Sequence, residues 1–242
     1  MPAPLVYQSN NKSPQKRKQF VQNMFDSLVP TYDLLNQILS LGSHRKWHRD
    51  MVSRIGRIEG SMVLDLCCGT GDISKVLIDR GAKTTSLDFS LEMLKRGLNK
   101  GALGAGANIM GDASVLPFKS DCFDAVTIAF GIRNLPDLDS FMREVNRVLR
   151  PGGKLIILEL VRPDNRLMRA FYSLYLKKLL PIIGGIISGR PLAYKYLAGT
   201  ISTFVHPLAI SEMLLKRGFA SVANYPKTFG VATVMVCAKG GV

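Results

Sequence analysis

Residues 63–72, VLDLCCGTGD, constrain the chain more than any other stretch: an apolar run ends on an acid, drops into a glycine turn and leads into a helical pattern. At the carboxyl end of a strand such a turn exposes bare backbone, because Gly69 and Gly71 carry no side chain to keep a nucleotide-like ligand away. A dinucleotide fingerprint needs a third glycine where this chain has Ser74. Asp65 and Asp72 bracket the turn, and carboxylates repel pyrophosphate but suit a cation such as a sulfonium nucleoside with an amino acid tail. An ordinary tight strand-to-helix connection is the alternative.

Downstream segments extend the pattern. KTTSLD (83–88) is a short β-rich run ending in Asp88, seventeen residues after Gly71, the distance at which a second strand presents a carboxylate to a ribose diol. Asp88 could equally cap the following helix, although Ser90 is the better cap. NIMGDA (108–113) closes a third strand on Asp112, FDAVTIAF (123–130) forms a fourth, and RPGGKLIILEL (150–160) announces a fifth. Between the last two, Leu138, Phe141, Val145 and Val148 recur at helical spacing. Alternating βα units predict an α/β, doubly wound and mostly parallel sheet. A helix over 206–219 and a terminal antiparallel pair, SVANY and VATVMVCA, complete it.

No linker or repeat divides the 242 residues, so one domain is expected. Residues 1–19 read as a mobile basic arm, 20–60 as a helical lid, 61–162 as the cofactor core, 163–205 as a substrate insertion and 206–242 as the last helix and hairpin.

The net charge of +14 requires an account of partners. Lys12, Lys16, Arg17 and Lys18 lie beside Phe20, and Arg45, Lys46, His48 and Arg49 surround Trp47. Cations around an aromatic suit an anionic lipid surface, with solvated helix faces as the plainer reading. Nucleic acid is disfavoured, since no aromatic-interleaved recognition motif appears. Residues 171–189 are apolar, but Lys177 and Lys178 leave eleven residues after them, short of the ~20 a span needs. Their apolar side fits a substrate channel, shallow interfacial contact or the core. Cys67, Cys68, Cys122 and Cys237 form no CxxC pair, and neither GxSxG nor HExxH is present, so metal and hydrolase chemistry are not expected.

The glycine turn with its acids, Asp88, GDASVLPF and RPGG resemble class I S-adenosylmethionine-dependent methyltransferases, which implies seven strands. YDLLNQILSLGSHRKW (32–47), FGIRN (130–134) and YKYLAGTI (194–201) are similar to motifs of the menaquinone and ubiquinone biosynthesis C-methyltransferases, with Leu35, Gln37 and Thr200 departing from the usual Met, Asp and Ser. The resemblance implies cofactor contacts at Asp65, Gly69, Thr70, Gly71 and Asp88, adenine contacts at Asp112 and Ala113, and a backbone-only contact at Ala129. It implies C-methylation of a polyprenyl quinol, demethylmenaquinol in a bacterium, with the ubiquinone precursor or another lipid or phenol as the alternative. Arg133 would stabilise a phenolate and Asn134 orient the ring hydroxyl, with Tyr194, Tyr196 and His206 as proton carriers or ring contacts. A cytoplasmic enzyme in peripheral contact with an anionic membrane is expected, and a homo-oligomer is compatible with it. A non-catalytic S-adenosylmethionine sensor is the other class.

Overall fold

The fold follows from five apolar strands that need cover on both faces. In the computed structural model, which describes residues 14–40 and 42–241, Met62–Leu66 (β1), Lys83–Asp88 (β2), Asn108–Met110 (β3), Phe123–Ala129 (β4) and Leu149–Leu160 (β5) run parallel. Phe219–Lys227 (β6) and Ala232–Lys239 (β7) form an antiparallel hairpin whose β7 pairs antiparallel with β5. The strand order is β3-β2-β1-β4-β5-β7-β6, the doubly wound, seven-stranded sheet expected. Connections leave β1 toward β2 on one side and return to β4 on the other, so a crevice opens at the carboxyl ends of β1 and β4.

One face of the sheet is covered by Ser43–Ser53 (α3) and Asp72–Asp79 (α4), whose Met51, Val52 and Leu77 pack with Val63 and Ile156. The opposite face buries Leu64, Leu66 and Ile157 under Phe141 and Val145 of Leu138–Val148 (α6) and Ile210 of Pro207–Lys216 (α10). Leu91–Asn99 (α5) follows β2, and its start is capped by the Ser90 hydroxyl, which accepts from the Met93 amide at 3.1 Å.

Pro14–Leu28 (α1) and Tyr32–Leu39 (α2) lie over the crevice. The arm expected through residue 19 is helical from Pro14; residues 1–13, with Lys12, lie outside the described residues, as does the Arg17 side chain. The third helix of the expected lid, α3, belongs to the sheet-covering layer instead. It carries Trp47, only 7% exposed, whose Nε1 donates to the Thr228 hydroxyl at 3.0 Å. The basic cluster around this tryptophan is therefore not a lipid-facing aromatic: Trp47 and His48 point inward, and Arg45, Lys46 and Arg49 outward.

Between β5 and α10 the insertion forms Arg166–Leu174 (α7), a π-turn at Tyr175–Leu179, Leu180–Ser188 (α8) and Pro191–Thr203 (α9). Leu176, Leu180, Tyr194 and Ile201 build a separate apolar cluster with Leu28 and Leu35 of the lid. The helix is continuous over Arg166–Ser188, with a mean hydropathy of 1.3, long and apolar enough to cross a membrane by length and composition. Its inner side is nevertheless spent on that cluster, and Lys177 and Lys178 sit at its middle.

Candidate active site

A cleft of about 740 Å³ lies where the crevice was expected, walled by Gly69, Asp88, Asp112, Ala113 and Ala129 and roofed by Lys18, Phe25 and Tyr32 of the lid. The turn after β1 bends sharply, with Cys67, Gly69 and Gly71 all at positive φ. A Cβ on Gly69 would meet nothing nearer than the Tyr32 ring at 3.9 Å, so this backbone stays open to a ligand. A Cβ on Gly71 would fall 2.7 Å from Leu103, so Gly71 is required for packing and does not line the cleft.

Asp88 is 5% exposed. Its Oδ2 accepts from the Gly69 amide at 2.8 Å and its Oδ1 from the Ser90 amide at 2.9 Å. These bonds tie the end of β2 to the glycine turn, and because each carboxylate oxygen accepts two, they leave acceptor capacity for two ribose hydroxyls. With Ser90 as the cap, the capping alternative for Asp88 falls away. Burial pushes its carboxyl up to about 6.

Asp65 takes a different place. It lies beneath the turn, receives hydroxyl hydrogens from Ser74 at 2.6 Å and Thr127 at 2.8 Å, and is pushed up to about 7 by burial. Ser74, at the position a dinucleotide site gives to glycine, is therefore a strut for Asp65. Asp72 is likewise no open anion, because Lys100 Nζ reaches its Oδ1 at 2.8 Å, the Thr70 hydroxyl at 2.8 Å and Asp33 Oδ1 at 3.1 Å. Both bracketing acids thus already hold partners, two hydroxyls on Asp65 and a lysine on Asp72. Asp65, Thr70 and Asp72 border a separate recess of about 360 Å³ that also touches Tyr32 and His48. Asp112 accepts from the Ser114 amide at 2.9 Å and pairs with Lys18 Nζ at 2.6 Å. Burial alone would raise its carboxyl, but the Lys18 and Ser114 hydrogen bonds hold it below its usual range.

A second cavity of about 1730 Å³, mostly apolar, lies between the lid and the insertion. Phe25, Tyr32, Phe130 and Asn134 line both it and the cofactor cleft, so the two meet there. Arg133 stands in the wall, ion-paired to Glu159, which is fully buried and also accepts from the Leu160 amide at 2.8 Å. Burial pushes the Glu159 carboxyl up, while the Arg133 guanidinium pulls it down. Asn134 donates to the Phe130 carbonyl at 3.5 Å and its Oδ1 accepts from the Tyr196 hydroxyl at 3.3 Å.

Two other expected residues separate. Tyr194 lines the cavity, and burial pushes its phenol up to about 12, so there it presents a protonated hydroxyl. His206 is the N-cap of α10: its Nδ1 accepts from the Leu208 amide at 3.3 Å and its Nε2 lies 3.0 Å from Asp164. It lines none of these cavities, so its expected catalytic role is withdrawn.

Sequence reasoning did not single out Glu159, Tyr32 or His44. A lone acid inside the apolar run LIILEL was the available signal for Glu159, and the i, i+4 spacing of His44 and His48 for a shared helix face. Both histidines face the large cavity. Ser40 gives its only hydroxyl hydrogen to the Asn36 carbonyl at 2.6 Å, so at 2.7 Å it accepts from His44 Nδ1. Neutral His44 thus carries its lone pair on Nε2, and burial holds its pKa down. His48 is held down at about 4 by burial, and its Nε2 is buried with no partner.

A seven-stranded sheet of this order, with a glycine turn after β1 and an acid ending β2, defines a class I methyltransferase. Solved structures agree on the fold. A Thermotoga maritima S-adenosylmethionine-dependent methyltransferase, described as a possible histamine N-methyltransferase, covers 90% of this chain and 99% of its own at TM-score 0.64 and 17% identity. The magnesium protoporphyrin IX methyltransferase of Synechocystis PCC 6803, solved with bound S-adenosylmethionine, covers 93% and 97% at 0.62 and 16%. Residues 11–239 match the ubiE/COQ5 methyltransferase family. The demethylmenaquinone methyltransferase of Thermotoga maritima is 40% identical over 91% of this chain and 96% of its own. The ubiquinone/menaquinone biosynthesis C-methyltransferase of Geobacter sulfurreducens is 39% identical over 91% and 88%. The chain belongs to the ubiE/COQ5 family, and it is an S-adenosylmethionine-dependent methyltransferase.

The two raised carboxyls predict opposite pH trends for stability and for cofactor affinity. Both have native pKa values above the ordinary 3.8, so stability of the free protein is greatest below about pH 4 as far as these groups contribute, and is lost as pH rises through about 6 for Asp88 and 7 for Asp65. Asp65→Asn should flatten that slope in thermal unfolding. Cofactor affinity should instead rise roughly tenfold from pH 5 to 7, as Asp88 ionises and accepts more strongly, and calorimetry should show Asp88→Asn without this rise. Removing Arg133 alone strands Glu159: Arg133→Ala should cost about 3–5 kcal/mol in urea unfolding, and Arg133→Met with Glu159→Gln distinctly less.

Proposed function

We propose that the protein methylates a ring carbon of demethylmenaquinol, giving menaquinol, with S-adenosylmethionine as methyl donor. The observation that carries this reading is the junction at Tyr32, Phe130 and Asn134, which line both the acid-ended cofactor cleft and the large apolar cavity. The cavity is mostly apolar, and Leu176, Leu180, Ile183, Leu197 and Ile201 offer their surface to a polyprenyl tail.

The residues present suit the donor: Asp88 retains acceptor capacity for the ribose, Gly69 leaves open backbone, and Asp112 beside buried Ala113 can meet the adenine edge. Thr70 and Asp72 border the recess on the other side of the turn, where the amino acid tail fits. When bound, S-adenosylmethionine supplies an electrophilic methyl group. The chain must make the ring carbon nucleophilic and hold it in line. Arg133, fixed by Glu159 and always charged, stabilises the phenolate that shares its electrons with the adjacent carbon. Asn134, oriented by Tyr196, presents its amide to the ring hydroxyl. His44, with its lone pair on Nε2, is the wall group suited to accept the hydroxyl proton; once the carbon has taken the methyl group from sulfur, the hydrogen on that carbon leaves as a proton and the oxygen is reprotonated, which restores the aromatic ring.

Such an acceptor resides in a bilayer, so this reading includes a peripheral enzyme on the cytoplasmic side of a bacterial membrane, in keeping with four free cysteines. The ubiquinone precursor is the second reading, since a relative at 39% identity is named for both quinones. Incubation with methyl-labelled S-adenosylmethionine and each quinol, followed by mass spectrometry, should give labelled menaquinol. Asn134→Ala should lower kcat about 100-fold while calorimetric cofactor affinity holds. Label on neither quinol would refute the proposal.

A further inference from the structure

The continuous helix Arg166–Ser188 has two unlike sides. Tyr172, Tyr175, Leu176, Leu180 and Ile183 turn inward and form one wall of the large cavity. Leu167, Phe171, Ile182 and Ile186 turn outward and are 68, 63, 58 and 79% exposed, with Leu174 and Leu179 also bare. Apolar side chains along some six turns of one helix form a patch of the kind that marks an interaction surface.

Charge selects the occupant. From residue 165 to residue 211 the chain contains no acid, while Arg166, Arg169, Lys177, Lys178, Arg190 and Lys195 supply six cations. Lys177 and Lys178 are exposed beside the apolar stripe, placed where ammonium groups can reach lipid phosphates while Phe171 and Ile182 enter the acyl region. A second copy of this chain would bring the same six cations against these and be repelled. Crossing the bilayer would tear the inner face from the cavity it encloses and from the cluster with Leu28 and Leu35.

We propose that the outer face of helix Arg166–Ser188 lies flat in the headgroup layer of an anionic bilayer, so that a polyprenyl tail enters the cavity along this helix without crossing water. The inference rests on the quinol reading only for the identity of what passes; the docking face stands on exposure and charge. The helix is then both membrane contact and cavity wall.

Co-sedimentation with phosphatidylglycerol vesicles tests it. The wild-type protein should bind them at least tenfold more tightly than phosphatidylcholine vesicles, and Phe171→Glu with Ile186→Glu should abolish the difference. These two residues do not line the cavity, so activity on a short-tailed, water-soluble quinol should be unchanged, while activity on a long-tailed quinol embedded in vesicles should fall at least tenfold. Ile186→Trp, which keeps the face apolar, should be quenched by brominated lipids, and this readout stands even if the glutamate pair fails to fold. Wild-type protein that stays in the supernatant, an unquenched Trp at 186, or a dimer that covers this face in sedimentation would each overturn the proposal. Vesicle binding without methylation of any quinol would support the face and refute the substrate reading, so the two failures are distinct.

Discussion

The site depends on one buried carboxylate. Asp88 ends β2 and accepts a hydrogen bond from Gly69 on one side and Ser90 on the other, so a single side chain fixes the glycine turn after β1 relative to the start of α5. Without it two backbone amides near the ligand would lose their acceptor, at a cost of about 1–3 kcal/mol each. The strain of positive φ at Cys67 is held in the same place, with the turn facing the crevice at the sheet's switch point. Structural and binding roles of Asp88 are therefore inseparable in an alanine variant, and the asparagine change separates them better.

From that anchor the chemistry is assembled by elements far apart in the chain. The lid reaches the cofactor cleft through Lys18 on Asp112, through Gln22, which donates to the Phe89 carbonyl, and through Asp26, which accepts from the Ser90 hydroxyl. Asp33 joins α2 to Thr70 and Lys100. These polar ties bring Phe25 and Tyr32 over the glycine turn and make them part of both cavities. On the other side, Glu159 at the end of β5 fixes Arg133 in a low-dielectric wall, where a developing negative charge is stabilised more than in water.

Much of this architecture was legible in the sequence because it rests on local pattern. The glycine turn, the β-rich runs ending at Asp88 and Phe130, the helix carrying Phe141 and Val145, and the final hairpin all follow from periodicity and turn chemistry, and all occur in the structure, with the fourth strand one residue shorter at Ala129. What was not legible were partnerships across long separations. Nothing local reveals that Ser74 and Thr127 donate to Asp65. Nor does anything local reveal that Lys100, 28 residues on, pairs with Asp72. His206 drew attention as one of three histidines, yet the following proline and the cap position account for it. Trp47 with its neighbouring cations suggested a lipid surface, although on a helix one face can be buried while the residues flanking it stay in water.

The central claim is that two cavities meet at Asn134 so that a methyl donor and an apolar ring come into line there. A crystal structure of the protein with S-adenosylhomocysteine and a short-tailed quinol tests it most directly. The ribose should lie on Asp88, the sulfur at the Phe130 and Asn134 junction, and a quinol hydroxyl beside Arg133 with the tail running along α8. A quinol ring seated outside the large cavity, or separated from the sulfur by protein, would contradict it.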